Sequence, residues 1–159
     1  MESLPHALRP RIIYDRPYIG NLTEIPDGLW AAPVYNRGDR RPPVLHFAIQ
    51  MNKETEGAFF RTYPRSQIEQ TVKEFDLSSE VPAWSYIEHI AGKLLGRKML
   101  IHAVCLNDGI ASVLLLWNNY SNGARGRTLT KDEKKLCDVF EAQPAWYLDA
   151  NDFAWDIKP

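Results

Sequence analysis

The side chains best suited to chemistry are few: four histidines and two cysteines in 159 residues. An imidazole titrates near neutrality and becomes a useful general base once a carboxylate orients it. His102 stands in an apolar run between Leu100 and Val104. There it is either a core histidine satisfied by one hydrogen bond or a base held in a dry pocket. His46 lies on the more polar side of a second run, with Gln50 on the same side. It reads either as a solvent-facing strand position or, with Gln50 and Glu54, as part of one cleft. If the protein is an enzyme, His46 and His102 are its catalytic candidates. The class would be a small cofactor-independent isomerase, cyclase or hydrolase that pairs a histidine with Asp or Glu in an apolar pocket. Metal binding requires clustered Cys or His ligands. The chain has no Cys-x-x-Cys and no His-x-His, and His46, His89 and His102 stand singly. Neither a metal nor a cofactor is expected on this spacing. A phosphate-binding Walker loop, the dinucleotide glycine fingerprint and a Gly-x-Ser-x-Gly nucleophile turn are all absent.

Arginine supplies the second kind of chemistry. Arg37, Arg40 and Arg41 crowd one Gly/Pro-punctuated segment, and Arg125 and Arg127 crowd another around Gly123 and Gly126. A guanidinium is a planar fork that suits phosphate and carboxylate, and neighbouring glycines leave backbone amides approachable. If both loops lie at one end of the fold, they make an anion site; otherwise they are two solvated loops. The C-terminal segment alternates large aromatics with acids: Trp146, Tyr147, Asp149, Asp152, Phe153, Trp155, Asp156. Each aromatic offers roughly 150–250 Å² of largely apolar surface, too much to leave in water. The segment is expected to pack back on the domain with its aspartates at the rim, and Trp146 and Trp155 join the arginines as binding candidates.

The elements that must hold these groups follow from periodicity. Val44–Met51 alternates, with Leu45, Phe47, Ile49 and Met51 on one face and His46, Ala48 and Gln50 on the other. Gly28–Tyr35 reads as a strand hairpinned to it, and Gly57–Tyr63 as a short third strand. A helix is expected after Pro64, capped by Ser66-x-x-Glu69, with Ile68, Val72 and Phe75 on one face. A second begins near Pro82, carries a stripe of Trp84, Ile87, Ala91, Leu94 and Leu95, and ends at Gly96. Two β-rich runs, 98–106 and 110–118, meet at Asp108-Gly109, a pair suited to a two-residue turn. That turn would set His102 opposite Leu115 and Leu100 opposite Trp117. A last helix opens with a second capping box, Thr130-x-x-Glu133.

Runs of strands and of helices, rather than strict alternation, indicate an α+β fold with a mainly antiparallel sheet in one domain, order β-β-(β)-α-α-β-β-α. Residues 1–26 read as a Pro-rich arm, 27–143 as the core domain and 144–159 as the docked tail. The composition is that of a globular domain: 45% hydrophobic, 11% aromatic, 25% charged. The longest apolar stretch, Ile110–Trp117, is far short of the roughly 20 residues a membrane span needs. With no secretory signal in view, a cytoplasmic protein with Cys105 and Cys137 reduced and buried is expected. The formal charge is −1, which gives no global pull toward nucleic acid. Residues 89–131 nevertheless carry six basic groups and one acidic, and 132–159 three basic and seven acidic. The expected function is a non-enzymatic small-ligand or protein-interaction module that uses aromatic and arginine surfaces. Its partner would be a protein or a small molecule, with no membrane role and with self-association left open. Catalysis by His46 or His102 stands second, and anion or RNA binding through the arginine loops third, with nucleic acid disfavoured.

Overall fold

The computed structural model describes Glu24, Ile25, Trp30 and residues 44–71, 82–106 and 109–152. The fold is α+β, one domain built on a four-stranded antiparallel sheet with helices packed on it. Its elements are β1 (Leu45–Met51), α1 (Lys53–Thr62), α2 (Arg65–Thr71), α3 (Ala83–Leu95), β2 (Ile101–Leu106), β3 (Gly109–Asn118), α4 (Lys131–Phe140) and β4 (Ala145–Leu148), followed by a 3-10 turn over Ala150–Asp152. The expected strand at 28–35, its hairpin with β1, the Arg37–Arg41 loop, Val72, Phe75 and Trp155 lie outside the described residues.

The sheet runs β2-β3-β1-β4. Alternation along β1 sorts its side chains as its sequence demands. Leu45, Phe47, Ile49 and Met51 face a core shared with Phe59 of α1, Tyr86, Ile87 and Ala91 of α3, and Leu136, Cys137 and Phe140 of α4. The rings of Phe59 and Phe140 stack at 5.1 Å between α1 and α4. The other face gathers small residues, Ala48, Val104, Val113 and Ala145, around Tyr147. Val104 forms an antiparallel bridge with Asp149, just past β4, so the two outer strands meet and the sheet curls on itself. Small side chains inside the curl are what let the edges approach.

Several local expectations are corrected. Gly57–Thr62 belongs to α1, a helix rather than a strand, and Tyr63 is its C-terminal cap. Asn52 caps it, its side chain accepting the Glu54 and Thr55 amides while the Thr55 hydroxyl accepts the Asn52 amide. That local cap outweighs the β preference of Phe59 and Phe60. Helix α2 begins at Arg65, with the Pro64 carbonyl accepting the Gln67 and Ile68 amides. Ser66 therefore lies inside the first turn and is not the cap. Helix α3 is rotated from the expected stripe: Tyr86, Ile87 and Ala91 are buried, whereas Trp84 and Leu94 are exposed. Its end is as expected, with Gly96 left-handed at φ 63°. The β2–β3 hairpin exists, but Leu106 pairs with Gly109 and His102 with Val113, not Leu115. Gly109, the first residue of β3, takes a positive φ of 139°. A slip of two residues keeps every side chain on its own face, so hydrophobic patterning cannot tell the two registers apart. In β3 a bulge opposite Phe47/Ala48 pairs Trp117 with Phe47 and Leu115 with Ala48. The extra residue moves Trp117 to the face opposite His102.

Among the described residues no helix is long and apolar enough to cross a membrane. Cys105 and Cys137 are free and buried.

Candidate functional site

Consecutive residues of β1 point to opposite faces of the sheet, and each belongs to a separate cluster of polar and aromatic groups. On the helix side, register aligns Trp117 of β3, Phe47 of β1 and Trp146 of β4 in one row. Their rings touch: Phe47 lies 4.5 Å from Trp117 and 5.1 Å from Trp146, and Trp30 meets Trp146 edge-on at 5.3 Å. These four aromatics line a cavity of about 460 Å³, together with Ile25, Ala124 and Gly126, and with Glu24, Arg125 and Arg127 as its charged groups. The volume suits a small molecule.

Arg127 is held in place by two side-chain contacts, the Trp117 ring and the Glu133 carboxylate. Its guanidinium lies 4.1 Å over the Trp117 ring, an attraction between a cation and the negative face of the indole. Its Nη2 donates to Glu133 Oε1 at 2.6 Å, and Arg97 Nη2 donates to the same oxygen at 2.9 Å. The second oxygen of Glu133 accepts the Thr130 amide at 2.9 Å, completing the capping box of α4. A carboxylate this buried is tolerated because two guanidinium groups and an amide surround it. The loop between β3 and α4 is anchored at its other end as well. Asn119 exchanges hydrogen bonds with the Leu45 backbone, its Oδ1 accepting at 2.9 Å and its amide donating at 3.0 Å. Arg125 lies exposed on this loop.

Of the binding candidates read from sequence, Arg125, Arg127 and Trp146 line this one cavity, while Arg37, Arg40, Arg41 and Trp155 lie outside the described residues. Sequence reading missed Trp30, Phe47, Trp117 and Glu133. Phe47 was assigned to the right face, Trp117 was displaced by the bulge, and Glu133 was seen only as a cap.

On the inner face of the curl, His46 is buried rather than solvent-facing. Its Nε2 and Asp149 Oδ2 are 2.7 Å apart, and its ring centroid is 5.0 Å from that of His102. Asp149 is therefore not a rim residue. Its backbone amide donates to the Val44 carbonyl at 3.0 Å, and its Oδ1 accepts the Asn151 amide at 2.7 Å. Burial alone would push the Asp149 carboxyl up, but the hydrogen bonds from His46 and Asn151 and the nearby imidazole outweigh it and hold the group below its ordinary 3.8. His102 Nε2 is buried and has no hydrogen-bond partner among the described residues. The alternative of one cleft shared by His46, Gln50 and Glu54 is not what the described residues form. Gln50 and Glu54 share a separate cavity of about 350 Å³ that His46 does not line. Comparison with protein-family models, with curated proteins and with solved structures gives no match to this chain.

Proposed function

We propose that the protein binds a planar, negatively charged small molecule in the cavity between Trp30, Phe47, Trp117 and Trp146, without transforming it. The observation that carries this reading is Arg127, stacked on Trp117 and fixed by Glu133 within an aromatic-walled pocket. Aromatic walls favour a flat ring by stacking, and guanidinium groups favour a carboxylate or phosphate attached to it. Among the described residues, two arginines stand against one carboxylate, Glu24, so the charged groups of the lining are net positive. Among the described residues, the lining holds no histidine, cysteine, serine or lysine that could act as nucleophile or proton shuttle, which favours binding over catalysis. Concavity favours a small ligand over a protein partner.

Quenching of tryptophan fluorescence tests the reading, using nucleoside monophosphates and aromatic carboxylates against uncharged analogues of the same rings. Saturable quenching by anionic ring compounds is expected, with a matching rise in melting temperature. Arg125→Glu, an exposed substitution, should weaken the anions and spare the neutral analogues. Equal response to charged and neutral rings, or none to either, overturns the proposal. Preference for short RNA over mononucleotides would move the assignment to a nucleic-acid surface.

A second reading draws on the His46–Asp149 pair, which has the form of an oriented general base in apolar surroundings. None of the cavities of about 540, 460 and 350 Å³ is lined by His46, His102 or Asp149. The aromatic pocket therefore leads.

A further inference from the structure

We infer that His46, His102 and Asp149 form a binding site for a divalent transition-metal ion of the zinc type, independent of the aromatic pocket. Three ligand atoms, one from each residue, lie within 4.8 Å of one another. The donors come from three different strands or strand ends: His46 from β1, His102 from β2, Asp149 from the residue after β4. Only the curl of the sheet brings them together, and the Val104–Asp149 bridge is the contact that closes it.

The donor set is two imidazoles and one carboxylate. That combination suits Zn²⁺, Co²⁺ or Fe²⁺, whereas Mg²⁺ and Ca²⁺ prefer oxygen alone. Three protein donors leave at least one position for water or a ligand atom. Metal–nitrogen bonds of about 2.1 Å at tetrahedral angles place two imidazole centroids roughly 5 Å apart, which is the separation of His46 and His102. The same geometry needs about 3.4 Å between donor atoms. His46 Nε2 and Asp149 Oδ2, now 2.7 Å apart, would open by about 0.7 Å, and a pair at the 4.8 Å limit would close by about 1.4 Å.

The supporting shell is already arranged. Asp149 Oδ1 is occupied by the Asn151 amide, which leaves Oδ2 for the site. Such outer hydrogen bonds fix ligand orientation in metal centres. Val104 and Val113 beside the donors are fully buried, so water competes weakly. The buried Nε2 of His102, with no hydrogen-bond partner among the described residues, is a lone pair or proton that the protein itself does not satisfy. A metal ion would satisfy it.

The test uses the full chain after treatment with a chelator. Co²⁺ is titrated while its visible absorption is followed, and Zn²⁺ is then added as competitor. Expected are one Co²⁺ per chain, an intense low-symmetry spectrum, displacement by Zn²⁺, and no competition from Mg²⁺ or Ca²⁺. His102→Gln and Asp149→Asn should each weaken binding by a hundredfold or more, beyond the 10–100-fold typical of outer-shell changes. His89→Gln and the double change Cys105→Ser, Cys137→Ser should leave it unchanged. Circular dichroism checks that each variant folds. If neither His102→Gln nor Asp149→Asn folds, the wild-type spectrum decides. A thiolate charge-transfer band would assign the ion to a cysteine and overturn the inference. So would absence of one-to-one binding in the micromolar range, or binding retained in both ligand variants.

Discussion

Glu133, only 2% exposed, answers to three donors: the guanidinium groups of Arg97 and Arg127 and the amide of Thr130. Its removal would leave two arginines without their counter-ion and open the first turn of α4. Both arginines retain partial contact with water, which softens the penalty. Glu133→Ala should therefore cost about 2–3 kcal/mol, read from the urea midpoint. Half of this role was legible in sequence. Thr130-x-x-Glu133 is a local pattern, whereas the partners Arg97 and Arg127 come from other parts of the chain and leave no spacing signal. His46 was misread for a related reason: alternation gives a strand residue its face but not what covers that face. The thiols were legible, because each sits in an apolar segment. Burial, then the Asp149 charge, pushes Cys105 from 9.0 to about 11, and burial, then Asp138 and Glu133, does the same to Cys137. Both values are raised in the folded state, so the associated stability is complete below pH 9 and is lost as pH climbs through about 11. Denaturant midpoints measured across that window should fall, and Cys105→Ser with Cys137→Ser should flatten the fall. Alkylation of either thiol at pH 8 should be slow in the native protein and rapid in denaturant.

The elements divide by how local their causes are. Strand β1, the ends of α3 and the start of α4 follow from alternation, a left-handed glycine and a capping box, each contained within a dozen residues. Helix α1 is set by Asn52, whose side chain organises the turn ahead of Phe59 and Phe60 and outweighs their preference for a strand. The β2–β3 register was misplaced because Asn107, Asp108 and Gly109 all tolerate left-handed backbone, which lets the loop sit one residue either way. Gly109 at φ 139° is costly for any other residue. Gly109→Val should lose on the order of 1–2 kcal/mol in equilibrium unfolding, and Gly109→Asn less. The bulge in β3 has no signature in composition; only the need to place both Leu116 and Trp117 in the core accounts for it. Inside the curl, Ala48 is fully buried between neighbouring strands. Ala48→Leu should overpack this space and cost about 1–3 kcal/mol.

At the scale of the molecule, aromatic character alone does not show how residues 145–148 are accommodated. Ala145–Leu148 supplies a strand, with all four residues buried and hydrogen-bonded along β1. Removing residues 145–159 should abolish cooperative thermal unfolding rather than trim the melting point, and should remove the Trp146 wall of the ligand cavity. The same strand has a temporal consequence. His46 and Asp149 are 103 residues apart, and β1 pairs with β4 across that span. Contacts of such long sequence separation form slowly, because a large loop must be closed before any pairing rewards it. On the ribosome β1 is made long before β4, so until Ala145–Leu148 is synthesised that edge of β1 lacks the strand it pairs with. An unpaired edge of this kind is a template for pairing between chains. Nascent chains stalled before Ala145 should remain protease-sensitive and prone to associate, and emergence of Ala145–Leu148 should end both properties together.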